Sequence, residues 1–246
     1  ANSFKSSMFN VVTTRSTHTL DARVVFCIWT GNNAMSTQRL QALFSIYNHV
    51  GCPLAYLNHV TLWRWELPEA PFHRAFAYLS ETHKADYLRV YLMHHYGGGY
   101  TDIKPTSVDW NAHFEALANS DQLCAGYTEI SPHSVAKVGG ELELALRENY
   151  AKLIGLCAFI FKPHTPITQA WLQRTHTLLD AKLEALKASP ASFPQDQYGV
   201  TLPDGTLSSY PLKWTEMLGD VFHPLILEYQ NFVLHLSMAP DFKNYR

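Results

Sequence analysis

A single α/β domain with a mostly parallel central sheet flanked by helices is the fold class this sequence predicts. Three observations carry that reading. Arg23-Val-Val-Phe-Cys-Ile-Trp29 is a short continuous apolar run that stops at Thr30-Gly31-Asn32-Asn33, as a strand buried on both faces does. A helical pattern and a second strand follow within thirty-odd residues, which makes a βαβ unit with parallel strands and a right-handed crossover. The chain has 246 residues, 47% of them apolar, enough to remove about 70–75% of the unfolded surface from water.

The elements follow in order. Residues 1–20 are Ser/Thr-rich without a period and read as an N-terminal arm. Ser36 is placed to cap a helix whose apolar positions Leu40, Leu43, Phe44 and Tyr47 recur at helical spacing. Gly51 stops it, and residues 53–57 form the second strand. Residues 62–67, with Trp63 and Trp65, read as a short helix or loop, and 71–79 as a helical turn or two. A helix over 83–96 ends on Gly97-Gly98-Gly99, and 100–104 alternates as a short strand closed by Pro105. Beyond it come a helix over 110–118 capped by Asp109, a strand over 122–127 and a polar loop over 129–140. A helix over 141–149, a long strand over 153–161 and a helix opened by Pro166 and running to about 188 complete the pattern. Residues 189–213 are turn-rich and read as a lid or binding loop; the rest is mixed helix and strand with a polar tail. No repeat, low-complexity run or linker divides the chain.

Composition excludes several classes. A formal net charge of −2, with scattered basic residues, is not the footprint of a nucleic-acid binder. Cys27, Cys52, Cys124 and Cys157 form no CxxC pair, and three sit in apolar runs where cysteine acts as a small hydrophobe. No apolar run is long enough to span a membrane and no signal peptide is visible, so a soluble, cytoplasmic protein is expected. The opening Ala1 raises the expectation of a trimmed chain or one domain of a longer protein. The thirteen histidines lack metal-ligand spacing, and nucleophile-elbow, Walker and Rossmann glycine motifs are missing.

The chemistry gathers in residues 83–104. Ala85, Leu88, Leu92 and Tyr96 make an apolar stripe, and Asp86 and Arg89, three apart, flank it. Taken alone that pair is a helix-surface ion pair. Three glycines exceed what a helix end needs and suggest close approach to the backbone. Asp102 and Lys104 fall on one side of the strand, where a carboxylate suits a ribose hydroxyl and an ammonium suits a diphosphate.

Ala85-Asp86-Tyr87-Leu88-Arg89, followed by Tyr96-Gly97-Gly98-Gly99-Tyr100-Thr101-Asp102-Ile103-Lys104, resembles the DXD sugar-binding region of GT-A-type glycosyltransferases. That family pattern is A/S-D-x-x-R, a short spacer, then G-G-x-Y-x-D-x-D. It is shared by bacterial capsular-polysaccharide transferases, the mannosyltransferase-like DXD group and the large glucosylating toxins. Cys27-Ile-Trp-Thr-Gly31 is similar to the toxins' strand ending in Trp-Ile-Gly-Gly. The resemblance covers residues 23–105. It implies a GT-A-like single domain over 1–246, with a Rossmann-like nucleotide-sugar-binding half over 23–105 and an acceptor-side half over 106–246. Trp29 would stack on the base, with Thr30 and Gly31 near base or ribose. Asp86 and Arg89 would hold donor-sugar hydroxyls, Gly98 and Gly99 would admit the ligand to the backbone, and Asp102 would bind ribose or a metal-linked water. His223, Asp220 and Asn149 are candidates for the phosphate or acceptor side, while Asp196, Asp204 and Glu216 are candidate acceptor-side or general-base carboxylates that read chiefly as turn or surface acids.

Lys104 departs from the family, which has its metal-ligating second Asp there. The implied function is transfer of a sugar from a nucleotide-sugar donor, UDP-linked by preference, to a glycan acceptor in capsule, lipopolysaccharide or related synthesis. Lys104 would neutralise the diphosphate in place of Mn or Mg, which the substitution disfavours. The likeness to retaining toxins leans toward retention of anomeric configuration. The expected location is the cytoplasm, at the inner face of the membrane or within a larger synthase. The alternative is a catalytically silent sugar-nucleotide or glycan-binding module.

Overall fold

The computed structural model describes residues 23–246; the arm expected over 1–20 lies outside them. Six strands form one sheet: β1 (Val25–Trp29), β2 (Leu54–Asn58), β3 (Gly98–Thr101), β4 (Cys124–Thr128), β5 (Ile154–Phe161) and β6 (Val233–His235). Their order across the sheet is β2-β1-β3-β5-β4-β6. β1 pairs in parallel with β2 and with β3, and β4 with β6. β5 runs antiparallel to both neighbours, so the sheet is mixed, with β5 alone against the common direction.

Among the described residues six helices cover the faces: α1 (Thr37–His49), α2 (Glu81–His95), α3 (Asn111–Ala118), α4 (Gly140–Glu148), α5 (Pro166–Ala188) and α6 (Gly219–Glu228). On β1, side chains alternate between two cores. Phe26 and Ile28 join α2, α5 and α6 on one face, while Val25 and Cys27 join α1 and α3 on the other. A strand buried on both faces reads as continuous apolar sequence for this reason. Helix caps obey local chemistry: Ser36 accepts from the Arg39 N–H, Ser80 from His83, and Thr165 from Thr168 ahead of Pro166. The helix of 111–118 starts one residue later than expected, with Trp110 at its N-cap and not Asp109, which sits one residue before it and accepts from the Asn111 N–H at 2.8 Å.

α2 differs most from its sequence pattern. Ten of its residues are buried, from His83 to His94, so it is a central helix and not an amphipathic one. Its tyrosines tolerate this because each hydroxyl is bonded: Tyr87 accepts from the His73 N–H, Tyr91 accepts from Leu67 and donates to the Ala70 carbonyl, and Tyr96 donates to the Trp65 carbonyl. His83 Nδ1 meets the Tyr210 hydroxyl at 2.7 Å and Nε2 meets the Lys213 carbonyl at 3.0 Å, which pins the turn-rich 189–213 segment onto α2.

Chain order fixes where a ligand would go. From β1 the chain crosses to β2 on one side, then returns through α2 to β3 on the other. A crevice opens outside the carboxyl ends of strands where the crossovers part in this way. Trp29 ends β1 and Asp102 follows β3, so both stand at that edge. Among the described residues, no helix is long and apolar enough to cross a membrane. The four cysteines are free thiols.

Candidate functional site

The four charged residues that the sequence singles out converge at the end of β3. Asp102 is their hub. Its Oδ1 accepts from Arg89 Nη2 at 3.3 Å and from the Tyr100 hydroxyl at 2.7 Å, and its Oδ2 accepts from Lys104 Nζ at 2.7 Å. Arg89 also stands 3.6 Å from Asp86, donates to the Leu156 carbonyl at 2.9 Å and lies 4.2 Å over the Tyr100 ring. Asp86 and Arg89 are 5% and 6% exposed. The surface ion pair read from their spacing is therefore a buried one, joined to a second pair from another element.

Local geometry brings them together in a way the strand pattern does not describe. β3 ends at Thr101, so Asp102 to Lys104 is a tight turn, in which the Lys104 N–H donates to the Asp102 carbonyl at 2.9 Å. The Asp102 N–H is held by the Cys157 carbonyl on β5 at 2.7 Å. The strand expected over 100–104 lies instead at Gly98–Thr101, taking in two glycines read as the helix end, and the turn points Lys104 back at its own Asp.

Electrostatics follow from burial and pairing. Burial alone would raise the Asp102 carboxyl, but Arg89 and Lys104 outweigh it and hold the group well below the usual carboxylate range. Lys104 gains from the same contact: burial disfavours its charge, Asp102 more than restores it, and its pKa rises. Asp86 goes the other way, raised because desolvation exceeds what Arg89 returns. Burial pushes the Cys157 thiol, beside Asp102 and Lys104, up to about 12, so it is neutral and not a nucleophile.

Gly98 and Gly99 need a different explanation from ligand approach. A Cβ on Gly98, where φ is +97°, would meet the Val24 carbonyl oxygen at 2.8 Å, and one on Gly99 would meet the Trp110 ring at 2.7 Å. The protein's own backbone and indole are enough to require glycine at both positions. Gly97, with φ of +68°, is the helix terminator.

Trp29 is half-buried at the β1 terminus, with its indole N–H donated to the Asn33 carbonyl at 2.9 Å and its ring 5.6 Å from the Arg39 guanidinium. Thr30 is buried, and its hydroxyl donates to the Glu81 carboxylate at the start of α2. Gly31 makes room for the Asn33 side chain in the same turn. Thr30 also lines a shallow cleft of about 230 Å³ with His59, Trp63, Phe76 and Lys84. That cleft stops short of Asp102 and Lys104. Lys104 instead lies 4.6 Å from the ring of Tyr245, which folds back across this end of the sheet.

Three candidates are placed elsewhere. His223 is fully buried, accepts from the Ala136 N–H at 2.9 Å and faces the Glu129 carboxylate at 3.1 Å, so both ring nitrogens are engaged in holding the 129–138 loop. The Asn149 amide donates to the Ala145 carbonyl at 2.8 Å and caps the end of α4. Asp220 opens α6 with an unbonded Oδ1, and burial raises its carboxyl. Its carboxylate bonds Thr215 and lies in the field of Glu216, Lys213 and His223. Asp196 is buried among the Ser192 and Ser208 hydroxyls, Asp204 caps its own turn, and Glu216 accepts from the Lys213 N–H.

The donor set suits an anion better than a cation. Both oxygens of Asp102 already face positive groups, and Asp86 is taken by Arg89. A divalent ion there would meet two fixed cations. Among the described residues no group of three or more His, Cys, Asp or Glu is arranged to hold a metal. Sequence reasoning missed Arg39, Tyr100, Cys157 and Tyr245. Only the alternation that puts Tyr100 on the side of Asp102 could have flagged one of them.

Fold and site define an α/β protein with a buried carboxylate–cation cluster at the switch point of its sheet. Comparison of the chain with protein-family models, curated proteins and solved structures finds no match.

Proposed function

We propose that the chain is a GT-A-like glycosyltransferase that takes a sugar from a nucleotide-sugar donor, UDP-linked by preference, to a glycan acceptor without a metal ion. The observation that carries the reading is the convergence of Asp86, Arg89, Asp102 and Lys104 at the carboxyl edge of β1 and β3, on the same edge as Trp29. Trp29 offers a face for the base, and Asp86 and Arg89 are the groups for donor-sugar hydroxyls. In the transfer, the bond from the anomeric carbon to the diphosphate oxygen breaks and its electron pair stays on that oxygen. The acceptor hydroxyl bonds to the same carbon and releases its proton. Lys104, kept charged by Asp102, meets the negative charge that develops on the leaving group, and stabilisation of this kind is usually the largest single catalytic contribution. Capsule or lipopolysaccharide synthesis at the inner face of the membrane fits this chemistry.

The test is donor hydrolysis and transfer with a panel of UDP- and GDP-sugars, with and without EDTA. Turnover that EDTA leaves unchanged supports the proposal, and turnover abolished by EDTA refutes the role given to Lys104. One observation favours the second reading, a silent sugar-nucleotide or glycan-binding module: Asp102 is already bonded to Arg89, Tyr100 and Lys104. Binding of UDP with no turnover of any donor selects it.

A further inference from the structure

Arg39 is a half-buried cation with no acidic partner among the described residues. It lies in the first turn of α1, where Nη1 donates to the Ile103 carbonyl at 2.8 Å. Among the described residues this is the only hydrogen bond of its guanidinium, and no carboxylate lies within ion-pair distance of it. An arginine carries five N–H donors in a planar fork, so most of this fork is unspent. Desolvation lowers its pKa, and the field of Asp102 restores only part of the loss. Burying a charge this way is costly unless a counter-charge arrives.

Its surroundings say which counter-charge. The guanidinium stands 5.6 Å from the Trp29 ring and 4.8 Å from the Tyr245 ring, and Lys104 Nζ is 4.6 Å from that same Tyr245 ring. Its one carbonyl partner, Ile103, is the neighbour of Lys104. An aromatic face, then a guanidinium, then an ammonium is also the order of base, first phosphate and second phosphate in a nucleoside diphosphate. The Tyr245 ring gives both cations only cation–π contact, worth about 0.5–2 kcal/mol, which charge-assisted bonds to phosphate oxygens exceed.

We propose that Arg39 and Lys104 together form a diphosphate site, with Arg39 as the bidentate phosphate ligand and the Tyr245 ring as a placeholder that the phosphates displace. The proposal rests on the reading above for the ligand being a nucleoside diphosphate. It deepens that reading by adding a cation from α1 and a competing ring from the segment that follows β6. Segment 236–245 is tethered by the Asp241 N–H to the Pro105 carbonyl at 2.8 Å and by the buried Met238. The ring can therefore swing aside while its anchor holds.

The experiment is calorimetric titration of the whole chain with inorganic pyrophosphate, UDP and uridine, all with EDTA present. Arg39→Gln is expected to weaken pyrophosphate and UDP about tenfold or more and to leave uridine unchanged. Arg39→Lys, which keeps the charge but not the fork, should fall between, and it decides the question if Arg39→Gln does not fold. Tyr245→Ala should bind pyrophosphate about as tightly as the unaltered chain or a few-fold tighter. Unaltered pyrophosphate and UDP affinity in Arg39→Gln overturns the proposal, and so does an unaltered chain that binds neither. Arg39-dependent UDP binding without turnover of any sugar donor upholds this site while the transferase reading fails.

Discussion

Replacing Asp102 with Asn removes the one full negative charge held between Arg89 and Lys104. The side chain keeps its shape and an oxygen that the Tyr100 hydroxyl can still reach, but its new NH2 group confronts a cation. Lys104 is left without a carboxylate, and Arg89 keeps only Asp86 at 3.6 Å. Breaking a fully buried ion pair by deleting one partner costs about 3–5 kcal/mol. The Asp102 side chain is 20% exposed, so the low end applies, about 3 kcal/mol. For a chain of this size that is a fall in Tm of about 6–12 °C. Urea unfolding at pH 7, followed by tryptophan fluorescence, measures it. The pH dependence gives a second readout. The folded pKa of Asp102 lies below its unfolded value, so its stabilisation is complete above the ordinary value of 3.8 and is lost as pH falls through the folded pKa. The unaltered and Asp102→Asn chains should therefore differ at neutral pH and converge only below about pH 4. A loss under about 1 kcal/mol at pH 7, or a gap that does not close in acid, would refute the hub described for Asp102.

Three further outcomes are expected. Gly99→Ala should cost about 1–3 kcal/mol by driving a methyl into the Trp110 ring, while UDP affinity of the folded fraction stays unchanged; lost affinity at unchanged stability would restore the glycine to the ligand. Trp29→Ala should weaken UDP and uridine alike by about 1–3 kcal/mol, the worth of one base–aromatic stack, with Trp29→Phe retaining most of it, and calorimetry decides. His94, whose pKa burial lowers from 6.5 to about 4, stays neutral in the fold while the unfolded chain takes up a proton. The His94 contribution to stability should fall as pH drops from about 6.5 to 4 and level off below, and in His94→Gln that limb should be shallower when melting temperatures are measured across the range.

The sequence by itself determined four of the six strands to within about two residues, most helix boundaries and the identity of the charged cluster. Periodicity, Ser36 and Thr165 caps and glycine stops act within a few residues, so they are legible locally. Asp86, Arg89, Asp102 and Lys104 stood out for the same reason, as unusual chemistry in a short span. What tertiary structure decided is everything that depends on neighbours distant in sequence. β5 runs against the other strands because it inserts between β3 and β4, which no local pattern encodes. α2 is buried on every side because α5 and the 189–213 segment cover its polar flank. The glycines of β3 are small because Val24 and Trp110 press on them, a packing fact and not a ligand fact. Arg39 and Tyr245, 206 positions apart by their numbering, meet only because the segment after β6 folds back over the end of the sheet. A lone arginine in a helix looks like solvated surface until the fold shows that no carboxylate of the described residues pairs with it.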